Sequence, residues 1–266
     1  MPDHRDAPLT RVNVLGVGIH AIDMDTALRE SERLLAGDHK GYVCVTGVHG
    51  VMESQDDPAL RAILNQAFLC LPDGMPTVWV GRLQGHRAMR RVYGPDFMLA
   101  MCRRSQARGY RHFFYGGAPG VVDQLKARLE IQMPWLNIVG TYTPPYGPLS
   151  SAQEFELIDL VAKTRPDILW VGLSTPKQER FMAQYCGRLE TKLMVGVGAA
   201  FDLHAGLRRD APPWMKTCGL QWLHRLGQEP VRLAPRYLKH NPRFVWHMCR
   251  QMTRWRADAS HAVGSG

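Results

Sequence analysis

The sequence predicts an α/β fold, in which a mostly parallel β-sheet carries helices on both faces and a basic helical appendage follows. Three observations predict it. Short apolar, β-rich runs alternate with helical patterns as far as Asp202, polar or glycine-rich loops follow most of those runs, and beyond Asp202 the alternation stops while arginine and tryptophan accumulate. Strands that alternate with helices form parallel sheets, because each return connection crosses over through a helix. The expected core is therefore Rossmann-like.

The strand candidates are rich in Val, Ile, Leu and Phe. They are Val12–Ile19, Tyr42–Thr46, Phe68–Leu71, His112–Tyr115, Ile138–Thr141, Ile168–Val171 and Leu193–Val197. Between them, apolar residues recur at helical spacing. These helical segments are Thr26–Ala36, Pro58–Gln66, Met75–Gln84, Pro95–Ala107, Val121–Ile131, Ala152–Thr164 and Lys177–Gly187. Ligands of such sheets bind beyond the carboxyl ends of the strands, so the loops that follow the strands are the expected site.

The chain divides at Asp202 into two predicted domains and a tail. We expect residues 1–202 to form the α/β core, residues 203–256 a helical appendage, and the small, polar residues 257–266 a disordered tail. Residues 212–256 have the pattern of short helices separated by prolines. Those prolines are Pro212, Pro213, Pro230, Pro235 and Pro242.

The positive charge of the chain lies in the predicted appendage. The whole chain has a net charge of +9, and residues 203–256 carry eleven lysines and arginines against two acids, Asp210 and Glu229. Such asymmetry indicates an anionic partner. Trp and Leu accompany the arginines, a pattern that fits a membrane surface and a helical cap with a solvated basic face equally, and the concentration of charge favours the anionic membrane.

Composition excludes several classes of protein. No run approaches the roughly 18 apolar residues of a membrane-spanning helix, and Met1–Thr10 lacks the apolar run of a signal peptide, so we expect a cytoplasmic chain. Six cysteines include no Cys-x-x-Cys pair, and the histidines show no ligand spacing. The sequence therefore predicts no zinc site, no other metal and no bound cofactor.

Three loops after strands carry candidate site residues. Asp73 follows an apolar strand, where a carboxylate can serve as a general base, although the local pattern favours a cap of the next helix. Residues 116–120, Gly-Gly-Ala-Pro-Gly, precede a helix, where glycines let the backbone approach a phosphate; a tight turn is the alternative, and the position after a strand favours the phosphate. Gln178 and Glu179 open a helix; Gln can bind sugar hydroxyls, and Glu there also complements the helix dipole.

Two further motifs are interpreted as structural. Gly16 and Gly18 mimic a dinucleotide fingerprint, but Thr46 ends the next strand, where that fingerprint has an acid. Asp23 and Asp25 mimic a metal-binding Asp-x-Asp but precede a helical pattern, where Asp commonly caps.

The ordered set of motifs resembles the WecG/TagA/CpsF glycosyltransferases, glycosyltransferase family 26, over about residues 11–245. It consists of Thr46, Leu-Pro-Asp73-Gly, Arg91 before Val-Tyr-Gly-Pro-Asp96, Gly116-Gly117-x-Pro-Gly120, Val171-Gly172-Leu-x-x-Pro176-Lys177-Gln178-Glu179, Gly196-Val-Gly198-x-x-Phe201-Asp202, Arg-x-Ala-Pro-x-Trp214-Met, Leu-x-Trp222-Leu-x-Arg225 and Gln-Glu229-Pro230-x-Arg232.

The resemblance implies an inverting, metal-independent transfer of a sugar, often of the N-acetylmannosamine type, from a UDP-sugar to a polyprenyl-diphosphate-linked acceptor sugar at the inner membrane face, in surface polysaccharide synthesis. It implies that Asp73 is the catalytic base and that Thr46, Arg91 and Gln178 line the pocket. The remaining implied substrate-binding residues are Gly74, Gly116, Gly117, Gly172, Pro176, Lys177, Glu179, Gly198 and Asp202 of the core, with Arg225, Arg232 and Arg236 of the appendage.

One departure and two alternatives complete the sequence-based predictions. Many family members have Thr-Pro-Asn after the second strand, whereas this chain has Thr46-Gly47-Val48 with His49 adjacent, so the identity of the sugars stays open. An oxidoreductase would rest on Gly16 and Gly18. A nucleic-acid-binding protein would rest on the basic appendage, whose Trp and Leu content suits lipid better. Whether the chain forms a homo-oligomer is also left open.

Overall fold

The structure is a computed structural model that describes the backbone of residues 9–263 and the side chains of residues 9–253. Six strands form one parallel sheet in the order β4-β3-β8-β7-β5-β6. Their bounds are β3 Gly41–Thr46, β4 Leu69–Pro72, β5 Arg111–Gly116, β6 Asn137–Tyr142, β7 Ile168–Gly172 and β8 Leu193–Gly196. The prediction of a mostly parallel α/β sheet is confirmed.

Helices cover both faces of this sheet. Residues of β3, β5, β7 and β8 alternate between two apolar clusters, as the period-2 geometry of strands requires. One cluster includes buried residues of α2 (Val48–Asp56), α3 (Pro58–Gln66), α4 (Met75–Leu83), α7 (Ser151–Thr164) and α8 (Lys177–Tyr185). The other includes buried residues of α1 (Met24–Ala36), α5 (Gly94–Arg108), α6 (Val121–Gln132) and α9 (Ala200–His204).

The first predicted strand, Val12–Ile19, is instead an antiparallel hairpin. Its strands are β1 (Arg11–Val14) and β2 (Val17–His20), paired apart from the main sheet. The turn residues Leu15 and Gly16 both have positive φ, as a two-residue turn of the primed type requires. The sequence conceals this turn, because Leu is an unusual residue at positive φ.

Helix α2 was not predicted from the sequence. It begins directly after β3 with Val48 and His49 and includes Gly50, residues of modest helix propensity that favour a loop. It forms because Val51 and Met52 are fully buried in the apolar cluster on that face. Tertiary packing therefore outweighs the local preference.

The appendage contains two short helices and one long one: α10 (Pro213–Thr217), α11 (Gln221–Gln228) and α12 (Pro230–Val263). The expected breaks at Pro235 and Pro242 are wrong, because both prolines lie inside α12. Both are exposed, whereas Phe244 and Met248 on the opposite side of the helix are buried in the core cluster. A carbonyl freed by each missing N–H can therefore bind water.

The predicted boundaries fall within helices. Helix α9 crosses the boundary at Asp202, and α12 includes residues 257–263 of the predicted tail, while residues 264–266 lie outside the described residues. None of the described helices is both long and apolar enough to cross a bilayer.

Candidate active site

The loops at the carboxyl ends of the parallel strands surround one large cleft of about 1650 Å³. One wall consists of the loops after β3, β4, β5, β7 and β8, and the opposite wall comes from α10, α11, α12 and the loop after β6. This position follows from the topology, since parallel strands present their carboxyl ends at the same edge.

Asp73 projects from the end of β4 into this cleft. Its backbone N–H donates to the Thr46 carbonyl at 3.2 Å, which continues the β3–β4 pairing, and its Oδ1 accepts from the Gly94 N–H at 3.2 Å. Helix α4 has Gly74 as its N-cap and no side-chain cap, so Asp73 is not the cap that the local pattern favoured. The hydrogen bond orients the half-buried carboxylate without neutralising it.

Three carboxylates of the described residues line the cleft, and two of them are paired. Asp202 forms an ion pair with Arg208 at 3.0 Å, and Glu154 forms one with Arg188 at 2.7 Å. Among the side chains of residues 9–253, Asp73 has no ionic partner. It is therefore the cleft carboxylate whose charge is available to a ligand.

Arg91 connects the core to the appendage. Its Nε donates to the Asp73 carbonyl, and its terminal nitrogen donates to Gln221 of α11. The guanidinium lies 4.3 Å from the ring centroid of Tyr93. Gln221 and the Tyr93 hydroxyl both donate to Asp210, each at 3.3 Å, so this network fixes α11 over Asp73.

Gln178 and Glu179 form a buried pair at the start of α8. Glu179 accepts from Gln178 at 3.1 Å and from the Thr175 hydroxyl at 2.9 Å, and burial raises the pKa of its carboxyl. The Gln178 amide oxygen is buried and has no partner within the part of the chain described. An unsatisfied acceptor in a cleft wall can accept from a ligand hydroxyl.

Glycines shape the cleft edge after β5. Gly116 and Gly117 have φ of 121° and 76°, and the Gly117 N–H donates to the Gly172 carbonyl at 3.1 Å. Gly120 is the N-cap of α6. Within this loop Gly117 presents backbone to the cleft without a Cβ atom, beside Ala118 and Pro119.

The arginines predicted from the appendage all line the cleft, but they differ in pairing. Arg232 is bound to Glu229, which also pairs with Arg208. Arg225 makes no ion pair among the described residues, and the buried Nε of Arg236 has no hydrogen-bond partner there. Burial lowers the pKa of Arg236 to about 10, which leaves it charged at neutral pH.

Most predicted site residues line the cleft. They are Asp73, Gly74, Arg91, Gly117, Gly172, Lys177, Gln178, Gly198, Asp202, Arg225, Arg232 and Arg236. Thr46, Gly116, Pro176 and Glu179 lie behind this surface. Thr46 is buried, with its hydroxyl 3.3 Å from the Cys70 sulfur, so the structure places it as a support for neighbouring strands.

Sequence reasoning missed two features of the cleft. Tyr146, in the loop after β6, lies under the Lys177 ammonium at 5.3 Å from its ring centroid, and an aromatic in an irregular loop gave no signal. His49 and Glu53 of α2 meet His240 of α12, a cluster that sequence spacing could not reveal because its members are remote in the chain.

The two motifs interpreted as structural are confirmed as such. Gly16 belongs to the β1–β2 turn and Gly18 to β2, so these glycines lie in a hairpin and do not open a helix as a dinucleotide fingerprint does. Asp23 caps α1 by accepting from the Thr26 N–H at 2.9 Å.

Comparisons with known proteins agree with this arrangement. Residues 12–258 match the Glycosyl transferase WecG/TagA/CpsF family. The chain is 30% identical over 195 residues to the N-acetylglucosaminyldiphosphoundecaprenol N-acetyl-beta-D-mannosaminyltransferase of Bacillus spizizenii, covering 73% of this chain and 74% of that protein. It is 29% identical over 171 residues to the enzyme of the same name from Bacillus subtilis, covering 64% of each. With nearly its whole length matched, the chain belongs to the WecG/TagA/CpsF family and is a glycosyltransferase.

Proposed function

We propose that this glycosyltransferase moves an N-acetylmannosamine-type sugar from a UDP-sugar to a polyprenyl-diphosphate-linked N-acetylglucosamine, with inversion and without a catalytic metal. The names of the two Bacillus relatives support the mannosaminyl group and the lipid-diphosphate acceptor. The observation that carries the proposal is the carboxylate of Asp73, oriented by Gly94 and free of any ionic partner among the described side chains.

A single displacement needs one base. The Asp73 carboxylate takes the proton of the acceptor hydroxyl as that oxygen forms its bond to the anomeric carbon. The bond from that carbon to the UDP oxygen breaks, and its electron pair leaves with UDP. Attack opposite to the leaving group inverts the anomeric centre. The unsatisfied amide oxygen of Gln178 is suited to accept from a sugar hydroxyl nearby.

Positive charge in the cleft wall takes the place of a metal in this proposal. Arg225 and Arg236 have no acidic partner among residues 9–253 and line the cleft from the appendage side. Their guanidinium groups can bind two diphosphate oxygens each, and they act on the charge that develops as UDP departs. Asp202 lies near the glycine loops. Its ion pair with Arg208 supports the side of the site that would bind the nucleotide.

We further propose that the appendage contacts the anionic inner face of the cell membrane. Exposed Trp214, Trp222 and Leu223 lie on α10 and α11, beside the mouth of the cleft. Apolar side chains with neighbouring arginines suit the interface of a bilayer, where a lipid-linked acceptor is held.

The direct test offers the purified full chain a panel of UDP-sugars and a short-chain lipid-diphosphate N-acetylglucosamine, and detects the disaccharide product by mass. We expect product from one donor and a fall in kcat of about 10²- to 10⁴-fold in Asp73→Asn, the usual contribution of a general base. The exposed Asp123→Asn serves as the matched control.

The anomeric configuration of the product, read from NMR couplings, tests inversion. Adding Mg²⁺ or Mn²⁺ to chelator-treated enzyme is expected to leave the rate unchanged. Full activity in Asp73→Asn would remove the base from the mechanism. Failure of the folded protein to bind any UDP-sugar would remove the donor class.

A further inference from the structure

Three potential metal ligands converge where α12 packs on α2, at the edge of the cleft. The His240 Nε2 lies 3.1 Å from the Glu53 Oε1, and the His49 Nδ1 lies 3.9 Å from the same oxygen. One ligand atom from each residue lies within 4.8 Å of the other two. The two imidazole rings meet edge to face, with centroids 5.0 Å apart.

The hydrogen bonding of this cluster is incomplete. The His49 Nδ1, which faces Glu53, is buried and lacks a hydrogen-bond partner within the described residues. The His240 Nδ1 is unpartnered there too, but the His240 nitrogen that faces Glu53 is Nε2. Buried polar atoms in folded proteins nearly always have a partner, so the unpaired His49 nitrogen beside Glu53 indicates a bound species. The side chain of His240 is only 4% exposed, so bulk water has little access to this part of the cluster.

Two neighbouring cations are already engaged by Asp56. Arg243 binds both oxygens of Asp56, at 2.7 and 2.8 Å, and Lys239 lies 3.8 Å from the same carboxylate. Glu53 is thus left with the two histidines.

We propose that His49, Glu53 and His240 bind one divalent transition-metal ion, and their ligand chemistry favours Zn²⁺. Two imidazoles and one carboxylate form an established zinc ligand set that leaves one position for water. Positions i and i+4 place His49 and Glu53 on one face of α2. Bonds of about 2.0–2.2 Å bring ligand atoms to roughly 3.4 Å apart, a spacing that small side-chain rotations reach from the observed distances.

This ion fastens α12 to the core. His240 lies one turn beyond Arg236, which faces the diphosphate side of the cleft in the proposed mechanism. A metal bridge between α2 and α12 therefore holds the appendage wall in place, separate from the chemistry at Asp73. The sequence predicted no metal site because a set split between residue 49 and residue 240 has no spacing motif.

The test measures metal binding by the full chain. Chelator-treated protein is titrated with Zn²⁺ by calorimetry and with Co²⁺ by visible absorption, whose intensity and position report nitrogen ligands in tetrahedral geometry. We expect one equivalent per chain and a higher Tm in the presence of Zn²⁺, as binding to the native state requires. Glu53→Gln and His240→Ala should each weaken Zn²⁺ binding by about 100-fold or more, beyond the 10–100-fold typical of supporting residues around a metal.

Two controls make the outcome specific. The exposed His39→Ala should bind Zn²⁺ as the parent does, and so should Cys249→Ser, which removes an exposed thiol of the cleft wall. No binding by the folded parent chain overturns the proposal, as does binding that survives Glu53→Gln or disappears in Cys249→Ser. Glu53→Gln is nearly isosteric at a partly exposed position, so it keeps the test valid if His240→Ala fails to fold. Because the readout is metal binding, its failure is distinct from failure of the transferase proposal.

Discussion

At the scale of single residues, the polar groups without partners are what mark the cleft as a site for a ligand. Asp202 and Glu154 have paired charges, whereas Asp73 has an orienting hydrogen bond and no counter-charge among the described side chains. Gln178 likewise keeps an unsatisfied oxygen. An unpaired carboxylate or amide oxygen would cost free energy of folding if no ligand ever reached it. A polar ligand that pairs with Asp73 and Gln178 would explain why both groups are left unpaired.

Gly116 should tolerate a side chain less well than Gly120 in the same loop. Both have positive φ, which costs an alanine about 1–2 kcal/mol. A Cβ at Gly116 would lie 2.8 Å from the Gly172 carbonyl, whereas nothing lies within 4 Å of one at Gly120. We expect Gly116→Ala to lower the free energy of unfolding by about 1–3 kcal/mol more than Gly120→Ala in urea titrations. Equal losses in the free energy of unfolding would show that β5 and β7 can shift apart to accept the added Cβ at little cost.

Buried neutral histidines should make the fold acid-sensitive. Burial lowers the pKa of His112 to about 3 and, with the Arg11 charge, that of His20 to about 4. Both folded-state pKa values lie below the unfolded value of 6.5. Their stabilising contribution is therefore complete above pH 6.5 and is lost progressively as the pH falls toward 4, by about 1.4 kcal/mol per pH unit for each fully titrating group.

His112→Asn tests this at one site. The amide oxygen can replace Nδ1 as acceptor for the Trp170 indole, now 2.9 Å away, while the titrating group is removed. Denaturant unfolding between pH 7 and pH 4.5 should show a shallower loss of stability than in the parent chain. The exposed His39→Asn is the control. An unchanged slope in His112→Asn would mean that other groups cause the acid sensitivity.

At the scale of elements, periodicity predicted the parallel strands and the edge where the cleft lies. Alternation of apolar residues is a local property, and β5, β7 and β8 began within two residues of expectation. The hairpin turn at Leu15–Gly16 and helix α2 escaped prediction because backbone strain and burial, not local propensity, determine them. The His49–Glu53–His240 cluster depends on docking of α12, which no single segment encodes.

The docking of α12 on α2 should include a measurable ionic coupling. Arg243 binds Asp56 through two hydrogen bonds, and chiefly these lower the pKa of that carboxyl to about 2. The pair is exposed, so a double-mutant cycle with Asp56→Asn and Arg243→Gln should give about 0.2–1 kcal/mol, decreasing with salt. Hydrogen exchange of the α12 amides should rise in either variant. The Lys126–Glu130 pair on α6 provides the control cycle, which should leave α12 exchange unchanged.

At the scale of the whole molecule, much of the charge that predicted an anionic partner is compensated internally. Lys239 and Arg243 pair with Asp56, Lys216 with Asp210, and Arg208 with Asp202. The sequence assigned all of this charge to the appendage, and only the fold brings core acids to it. Membrane affinity should therefore depend more on exposed apolar side chains than on net charge.

A membrane contact of this kind should be confined to one edge of the sheet. Trp214 and Leu223 lie on helices that line the cleft at the carboxyl edge, whereas the equally prominent Trp135 precedes β6 at the amino edge. In liposome flotation with anionic vesicles, we expect Trp214→Ala with Leu223→Ala to reduce binding at least several-fold, because interfacial burial of each side chain contributes roughly 1.5–3 kcal/mol. Trp135→Ala should bind like the parent chain.

A truncation at Asp202 is a poorer probe, since Phe244 and Met248 are part of the core and their loss would expose it. Equal flotation of the parent chain, the double variant and Trp135→Ala would place the contact elsewhere, and loss of binding in Trp135→Ala would reverse the predicted orientation of the molecule on the bilayer.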